Sequence, residues 1–313
     1  MPRKLRVEYP GAIYHVMSRG NGKQDIFLGD VDRHDFVKSV AEVCEKTGFQ
    51  VHAYCLMSNH FHLVVETPDA NLVAGMSWLL SAYSLRFNRR HRLVGHLFSG
   101  RYKSLIVEGS GDGYLKTVCD YVHLNPARAN LLAPAQRLLE YPWSSFGGYL
   151  AGPGLRPAWI RVDRLLGEHG IREDTAEGRR EFERQIEARR LEGMDEQEAS
   201  QIRQGWFLGS PEFKEELLGR MEGKLGEHHS GELKRQGSVE KAERIIQEEL
   251  AALGWTEEDL RARRKSDPAK LAMAARLRRE TTLTLPRVAE RLSLGSWKSA
   301  TVKLRRWQRD NKK

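Results

Sequence analysis

The stretch Met57–Glu66, MSNHFHLVVE, puts two histidines one residue apart at the head of an apolar run. Strand side chains alternate faces, so His60 and His62 share one face while Phe61 and Leu63 point to the other. Same-face neighbours on a strand are about 7 Å apart, close enough for two imidazoles to reach one metal ion. The competing reading is a pair of hydrogen-bonded core histidines. The choice depends on what the rest of the chain brings to that face.

Outward from this strand, patterns of period two and period 3.6 alternate. Ala12–Ser18 (AIYHVMS) is rich in β-formers. Phe36, Val37, Val40, Val43 and Cys44 lie on one face of a helix that Asp30 or Asp32 can cap, with Gly48 beyond its end. Phe49–Leu56 reads as a second strand, Met57-Ser58-Asn59 as a turn and His60–Glu66 as a third strand. Leu72, Met76, Leu79, Leu80, Tyr83 and Phe87 keep helical spacing, and Arg101–Val107 supplies a fourth strand. The order β-α-β-β-α-β predicts a ferredoxin-like antiparallel sheet with both helices on one face and the other face free. The fold class expected is α+β, with an all-helical C-terminal region behind the sheet.

A further helix, from about Asp112 to Leu124, runs into Asn125-Pro126, where proline interrupts the hydrogen-bond ladder. Tyr121 and Asn125 are four residues apart and share a helical face. Lying across the free face of the sheet, this helix would bring Tyr121 and Asn125 to the histidine pair. Alternatively, Tyr121 is a core residue and Asn125 a helix-ending one. Tyr102 and Tyr114 compete for the same role, and His15 and His52 read as supporting or core residues. His123 falls on another face of the helix, and His228-His229 reads as a solvated loop.

The charge is unevenly spread. Residues 1–150 hold 17 basic and 13 acidic side chains, net +4; residues 151–260 hold 17 and 25, net −8; residues 261–313 hold 17 and 4, net +13. A basic end of that density favours a polyanionic partner, nucleic acid above all. Within it, LPRVAERLSLGSWKSATVKLRRW (285–307) reads as helix, turn at Ser293-Leu294-Gly295, and a second helix capped by Ser296. Val288, Leu292 and Val302 are expected inward. Lys298, Ser299, Thr301, Arg305 and Arg306 are left to meet bases and phosphates. Cys44, Cys55 and Cys119 form no CxxC pair and read as reduced core residues. No stretch approaches the roughly 20 apolar residues of a membrane span, and no secretory core opens the chain. The reading predicts a cytoplasmic, nucleoid-associated protein. Leu150–Leu155 (LAGPGL) is the clearest linker, giving domains at 1–150, 151–264 and 265–313, the middle one a charged helical connecting region.

NHFHLVV together with YVHLNPARANLL, YPGAIYHVMSRGN and GRYKS resembles the REP-associated tyrosine transposases, within the single-tyrosine HUH nucleases. The resemblance covers roughly the first 150 residues. It implies an enzyme that cuts and rejoins single-stranded DNA at hairpin-forming repeats through a 5′-phosphotyrosine. It implies Tyr121 as nucleophile and His60, His62 and Asn125 as ligands of Mg²⁺ or Mn²⁺; many relatives carry glutamine at the third ligand place. Arg101, Lys103 and Arg128 are candidate phosphate contacts, with Arg86, Arg89 and Arg90 flanking them. The C-terminal module is similar to the DNA-binding domain of the replication initiator, which implies flanking duplex as a second partner. A monomer and a homodimer with exchanged tyrosine helices are both compatible with the family pattern. A non-catalytic DNA-binding regulator that retains the fold is the rival expectation.

Overall fold

The computed structural model describes residues 7–193, 195–225 and 233–311, with side chains outside 222–238. His228-His229 lies outside them. The first six regular elements follow the expected order: β1 (Ala12–Arg19), α1 (Asp30–Thr47), β2 (Gln50–Leu56), β3 (His60–Thr67), α2 (Leu72–His91) and β4 (Lys103–Val107). Their strands pair antiparallel in the order β2-β3-β1-β4, the ferredoxin-like arrangement. α1 stops where Gly48 takes a left-handed φ of 75° and donates its N–H to the Cys44 carbonyl, a conformation that suits a residue without Cβ. At the other end Asp32 accepts the Leu28 N–H at 2.9 Å, placing a carboxylate in the first turn. One face of the sheet carries Phe61, Leu63 and Val65, all buried. Phe61 meets Phe36 of α1 at 4.7 Å between ring centroids, and Phe36 meets Tyr83 of α2 at 5.0 Å.

The opposite face is not free. α3 (Tyr114–His123) lies on it, followed by α4 (Asn125–Arg128), α5 (Phe146–Leu150), α6 (Asp163–Glu168), α7 (Ala176–Glu192), α8 (Glu196–Gln204), β5 (Phe207–Leu208) and α9 (Pro211–Leu225). One buried cluster joins Ile13, Cys55, Val64 and Leu105 of the sheet to Val118 and Val122 of α3, then to Leu165, Phe182, Ile186 and Ile202. The acidic middle of the chain, expected as a connecting region, therefore supplies core side chains to the sheet as far as Leu208. The apolar island around Trp206 becomes β5, which pairs parallel with β4 and makes a fifth strand. On the other side, the Val51 N–H donates to the Trp159 carbonyl and the Arg161 N–H to the Val51 carbonyl. The tyrosine helix stops just before Asn125-Pro126, as expected, with Leu124 closing α3. After Leu124 the chain turns into α4, where Pro126 occupies a first-turn position that needs no N–H donor.

Phe182 measures how far this middle segment belongs to the core. It is fully buried, stacked on Tyr149 at 4.9 Å and edge-on to His169 at 5.0 Å. Phe182→Ala is expected to destabilise the first unit by about 3–5 kcal/mol, the usual cost of such a cavity. Urea unfolding checks this; a change under about 1 kcal/mol would mean the segment merely rests on the sheet.

The chain divides into two compact units. The first holds β1–β5 and α1–α9 apart from Glu45–Thr47 and Asn71–Trp78. The second holds those two short stretches and the C-terminal helices: α10 (Leu233–Leu253), α11 (Glu257–Ala262), α12 (Pro268–Glu280), α13 (Leu285–Arg291) and α14 (Trp297–Asp310). Ile246, Leu250, Leu277, Val288, Leu292 and Leu304 are core residues of the C-terminal helices. α13, the Ser293–Gly295 turn and α14 form the expected helix-turn-helix, with Ser296 capping α14 by accepting the Ser299 N–H. The ammonium of fully buried Lys270 donates to the carbonyls of Leu260 at 2.8 Å, Ser293 at 3.3 Å and Arg263 at 3.4 Å, tying down the turn. Val302 is a correction: it is 68% exposed, and Ala300 and Leu304 face the core of α14 instead. The three cysteines are free and buried. No helix among the described residues is long and apolar enough to cross a membrane.

Candidate active site

β3 carries His60 and His62 on its α3 side, with ring centroids 5.0 Å apart. α3 lays Tyr121 against them: its ring is 5.8 Å from that of His62 and only 4% exposed. Among the described residues, Tyr121 is the tyrosine in ring contact with either histidine; Tyr102 is buried on the β4 side and Tyr114 packs at the start of α3. Asn125 follows one turn later, also buried, and its carboxamide nitrogen donates to the Tyr121 carbonyl at 3.0 Å. The Arg128 guanidinium lies 4.5 Å from the Tyr121 ring centroid, within cation–π range.

Hydrogen bonds orient both imidazoles. The Asn59 amide nitrogen donates to the Lys23 carbonyl, which turns its oxygen toward His60; His60 Nδ1 meets that oxygen at 2.7 Å and must carry the proton. His62 Nδ1 bonds to His15 Nε2 at 2.8 Å, the two rings stacked 12° from parallel. Each histidine thus has Nδ1 occupied and Nε2 without a protein hydrogen bond among the described residues, the usual preparation of a metal ligand. Burial, with Arg19 adding to it, lowers His60 to about pKa 4. Burial lowers His15 to about 4 and, together with His15, His60, Arg128 and Arg19, holds His62 well below its usual value. All three are neutral at pH 7, the form that binds a cation.

No group of three or more His, Cys, Asp or Glu side chains among the described residues is placed to hold a metal. The Asn125 carboxamide, hydrogen-bonded to the Tyr121 carbonyl, offers a neutral oxygen donor of the kind that could join the histidine pair. Two imidazoles and a carboxamide oxygen suit Mn²⁺ better than the oxygen-loving Mg²⁺.

The surrounding cations are unpaired. Arg101, Lys103 and Arg128 are exposed and make no ion pair among the described residues, and Lys103 stands opposite Met17 on the histidine side. Arg86 and Arg90 are different: the first is bound to Glu42 and the second to Asp32 and Asp35. Two residues were missed as site members. His15 was read only as support or core, yet its ring is also 5.9 Å from Tyr121. Arg19 is the cross-strand partner of His60 and is exposed. The signal for both was the alternation Ile13, His15, Met17, Arg19 along β1, which shares the face of His62 once the register is known. His52 instead pairs with Glu66 at 3.0 Å. Burial raises Glu66, but His52 and Arg164 outweigh it and hold the carboxyl at about 2. His123 is buried beside Ser145 and takes no part in the pair.

On α14, Lys298, Arg305 and Arg306 are exposed around Val302, with Arg309 extending the same basic face. Ser299 is half-buried, and the Thr301 hydroxyl donates back to the Trp297 carbonyl, so it is engaged within the helix.

Residues 8–125 match the family model described as "Transposase IS200 like". The match spans 118 of the chain's 313 residues, and over that segment the chain is similar to the IS200-like transposases. A similar solved structure is described as "Structure of the REP associates tyrosine transposase bound to a REP hairpin", with 15% identity and a TM-score of 0.41, covering 52% of this chain and 93% of that one. No curated protein matches the chain.

Proposed function

We propose that this protein is a transposase that cuts and rejoins single-stranded DNA at hairpin-forming repeats, with Tyr121 as its nucleophile. The observation that carries the reading is the Tyr121 ring lying against His62 within one chain. The Tyr121 oxygen attacks the scissile phosphorus, a P–O bond forms, and the bond to O3′ breaks, leaving a 5′-phosphotyrosine and a free 3′-hydroxyl. That hydroxyl can later attack the phosphotyrosine and reverse the exchange, so the phosphodiester energy is kept and no nucleotide cofactor is needed. This accords with the lack of a GxxxxGK[ST] loop in the sequence. His60 and His62, through Nε2, and the Asn125 carboxamide oxygen would hold a divalent ion, Mn²⁺ or Mg²⁺, which when bound polarises the phosphate. Arg128 and Arg19 stand beside the histidines to steady phosphate charge, and Arg101 and Lys103 extend that basic surface along the strand's path. The direct test is mass spectrometry of the wild-type chain after incubation with Mn²⁺ and hairpin oligonucleotides. A nucleotide is expected on the Tyr121 peptide; a nucleotide on any other tyrosine overturns the assignment.

In this reading the labour is divided by segment: the transposase domain takes the single strand, and the helix-turn-helix takes flanking duplex through Lys298, Ser299, Thr301, Arg305 and Arg306. Phosphate contacts release counterions, so each one lost lowers the salt dependence of binding by about one unit of log–log slope. Arg305→Ala combined with Arg306→Ala is expected to weaken duplex binding about tenfold or more and to flatten that slope by about two. Anisotropy titrations across salt concentrations decide it; an unchanged slope would remove these arginines from the interface.

A further inference from the structure

Next to Tyr121, and turned about 100° from it on α3, is a carboxylate with no exposure at all, Asp120. One of its oxygens meets His169 Nε2 at 3.0 Å and the other accepts from the Arg189 guanidinium at 2.7 Å. The partners are themselves held. His169 Nδ1 faces the Gln185 carboxamide oxygen at 2.8 Å, and Gln185 donates its amide to Glu181 and to the His169 carbonyl. Arg189 also donates to Glu198 at 3.2 Å. At the start of the same helix, the Glu168 carboxylate accepts the Lys116 N–H at 2.8 Å. Every one of these partners comes from residues 168–198, outside the family match at 8–125.

We propose that Asp120 is a positioning residue, through which the segment from Glu168 to Glu198 sets the rotation of α3 and hence the reach of Tyr121 toward the histidine pair. The inference rests on the reading of Tyr121 as nucleophile. α3 has ten residues, too few to be a stable helix by itself, so its angular setting is dictated by what it docks against. Adjacent residues cannot share a helical face, so pinning Asp120 on one side fixes the azimuth of Tyr121 on the other. The phenolic oxygen extends about 6 Å from its Cα. A rotation of about 20° therefore moves it by about 2–3 Å, and a misplacement of about 1 Å can cost a factor of about 10² in rate. The acidic middle of the chain is then a brace for the nucleophile.

The test uses the full chain and the hairpin oligonucleotide that the wild-type protein selects from a randomised pool. Asp120→Asn, Arg189→Met and Arg189→Lys are compared for the single-turnover rate of covalent adduct formation at saturating DNA and Mn²⁺. DNA affinity and thermal unfolding are measured on the same samples. The expected result is an adduct rate lowered about tenfold or more by Asp120→Asn and by Arg189→Met, with the dissociation constant within about twofold. Arg189→Lys, which keeps a charge for Asp120, should recover most of the rate. If the variants are folded at the assay temperature and form adduct at the wild-type rate, the network is structural only and the proposal fails. It also fails if rate and affinity fall together, since the whole DNA site is then disturbed. Tyr121→Phe runs alongside: adduct formed by that variant would overturn the nucleophile assignment, a different failure. Should Asp120→Asn not fold, Arg189→Met with its lysine counterpart decides the question, because Arg189 is partly exposed.

Discussion

Tyr121→Phe is expected to abolish covalent protein–DNA adduct, a loss on the order of 10⁴-fold or more, while leaving DNA binding and folding nearly intact. The separation is possible because the ring and the hydroxyl do different jobs. The ring fills a buried place against His62 and His15 and carries the Arg128 guanidinium over its face. Phenylalanine keeps all of that packing, so stability should change by about 1 kcal/mol or less. Only the hydroxyl, the proposed nucleophile, is gone, and no other tyrosine among the described residues is in ring contact with the histidines to replace it. The check is denaturing gel analysis of labelled hairpin DNA, with anisotropy on the same samples. Adduct at wild-type yield would move the nucleophile elsewhere, and loss of adduct together with loss of binding would point to a damaged site. Mixing this variant with His60→Ala extends the test. Tyr121 meets His62 inside one chain, so the mixture should stay inactive; recovered adduct would mean that tyrosine helices are exchanged between copies.

The second large effect concerns the cation. His60→Ala and His62→Ala are each expected to weaken Mn²⁺ binding, measured calorimetrically without DNA, by on the order of 100-fold or more. Loss of an outer partner alone usually costs about 10- to 100-fold. The two variants should differ in stability. Removing His62 leaves His15 Nε2 buried without its hydrogen bond, a cost of about 1–3 kcal/mol. Removing the half-buried His60 leaves Asn59, which keeps its bond to the Lys23 carbonyl. Equal Mn²⁺ affinity in wild type and both variants would refute the histidine pair as a cation site.

The expected sheet was readable because its information is local. Alternation in Ala12–Ser18 and His60–Glu66 and the 3.6-residue spacing in α1 and α2 indicate which side each residue faces, and the ferredoxin-like order satisfies them together. The spacing of Tyr121 and Asn125 is local too: although Tyr121 lies in the last turn of α3 and Asn125 opens α4, the Asn125 amide still reaches the Tyr121 carbonyl four residues back. The part played by His15 depends on the pairing of β1 with β3, which no local pattern encodes. The core contribution of residues 158–208 was hidden by composition: α7 offers Phe182 and Ile186 among charged side chains and reads as a solvated helix. On α14, both Val302 and the pair Ala300 and Leu304 fit a helical repeat. The small alanine carries too weak an apolar signal to fix which side of the helix faces inward.

The backbone pairings along the two outermost strands have a practical consequence. Trp159 and Arg161 pair with Val51 at the start of β2, Trp143 and Ser145 pair with its end, and Phe207 and Leu208 line β4, so chain that follows residue 150 closes the β4 rim and the first part of the β2 rim. A fragment cut at the sequence-defined boundary would bare the β4 ladder and the Val51 end of β2 beside a stripped apolar surface, a template for aggregation. The shortest piece that behaves as a well-folded enzyme should therefore extend beyond Leu208, well past the segment the family signature marks.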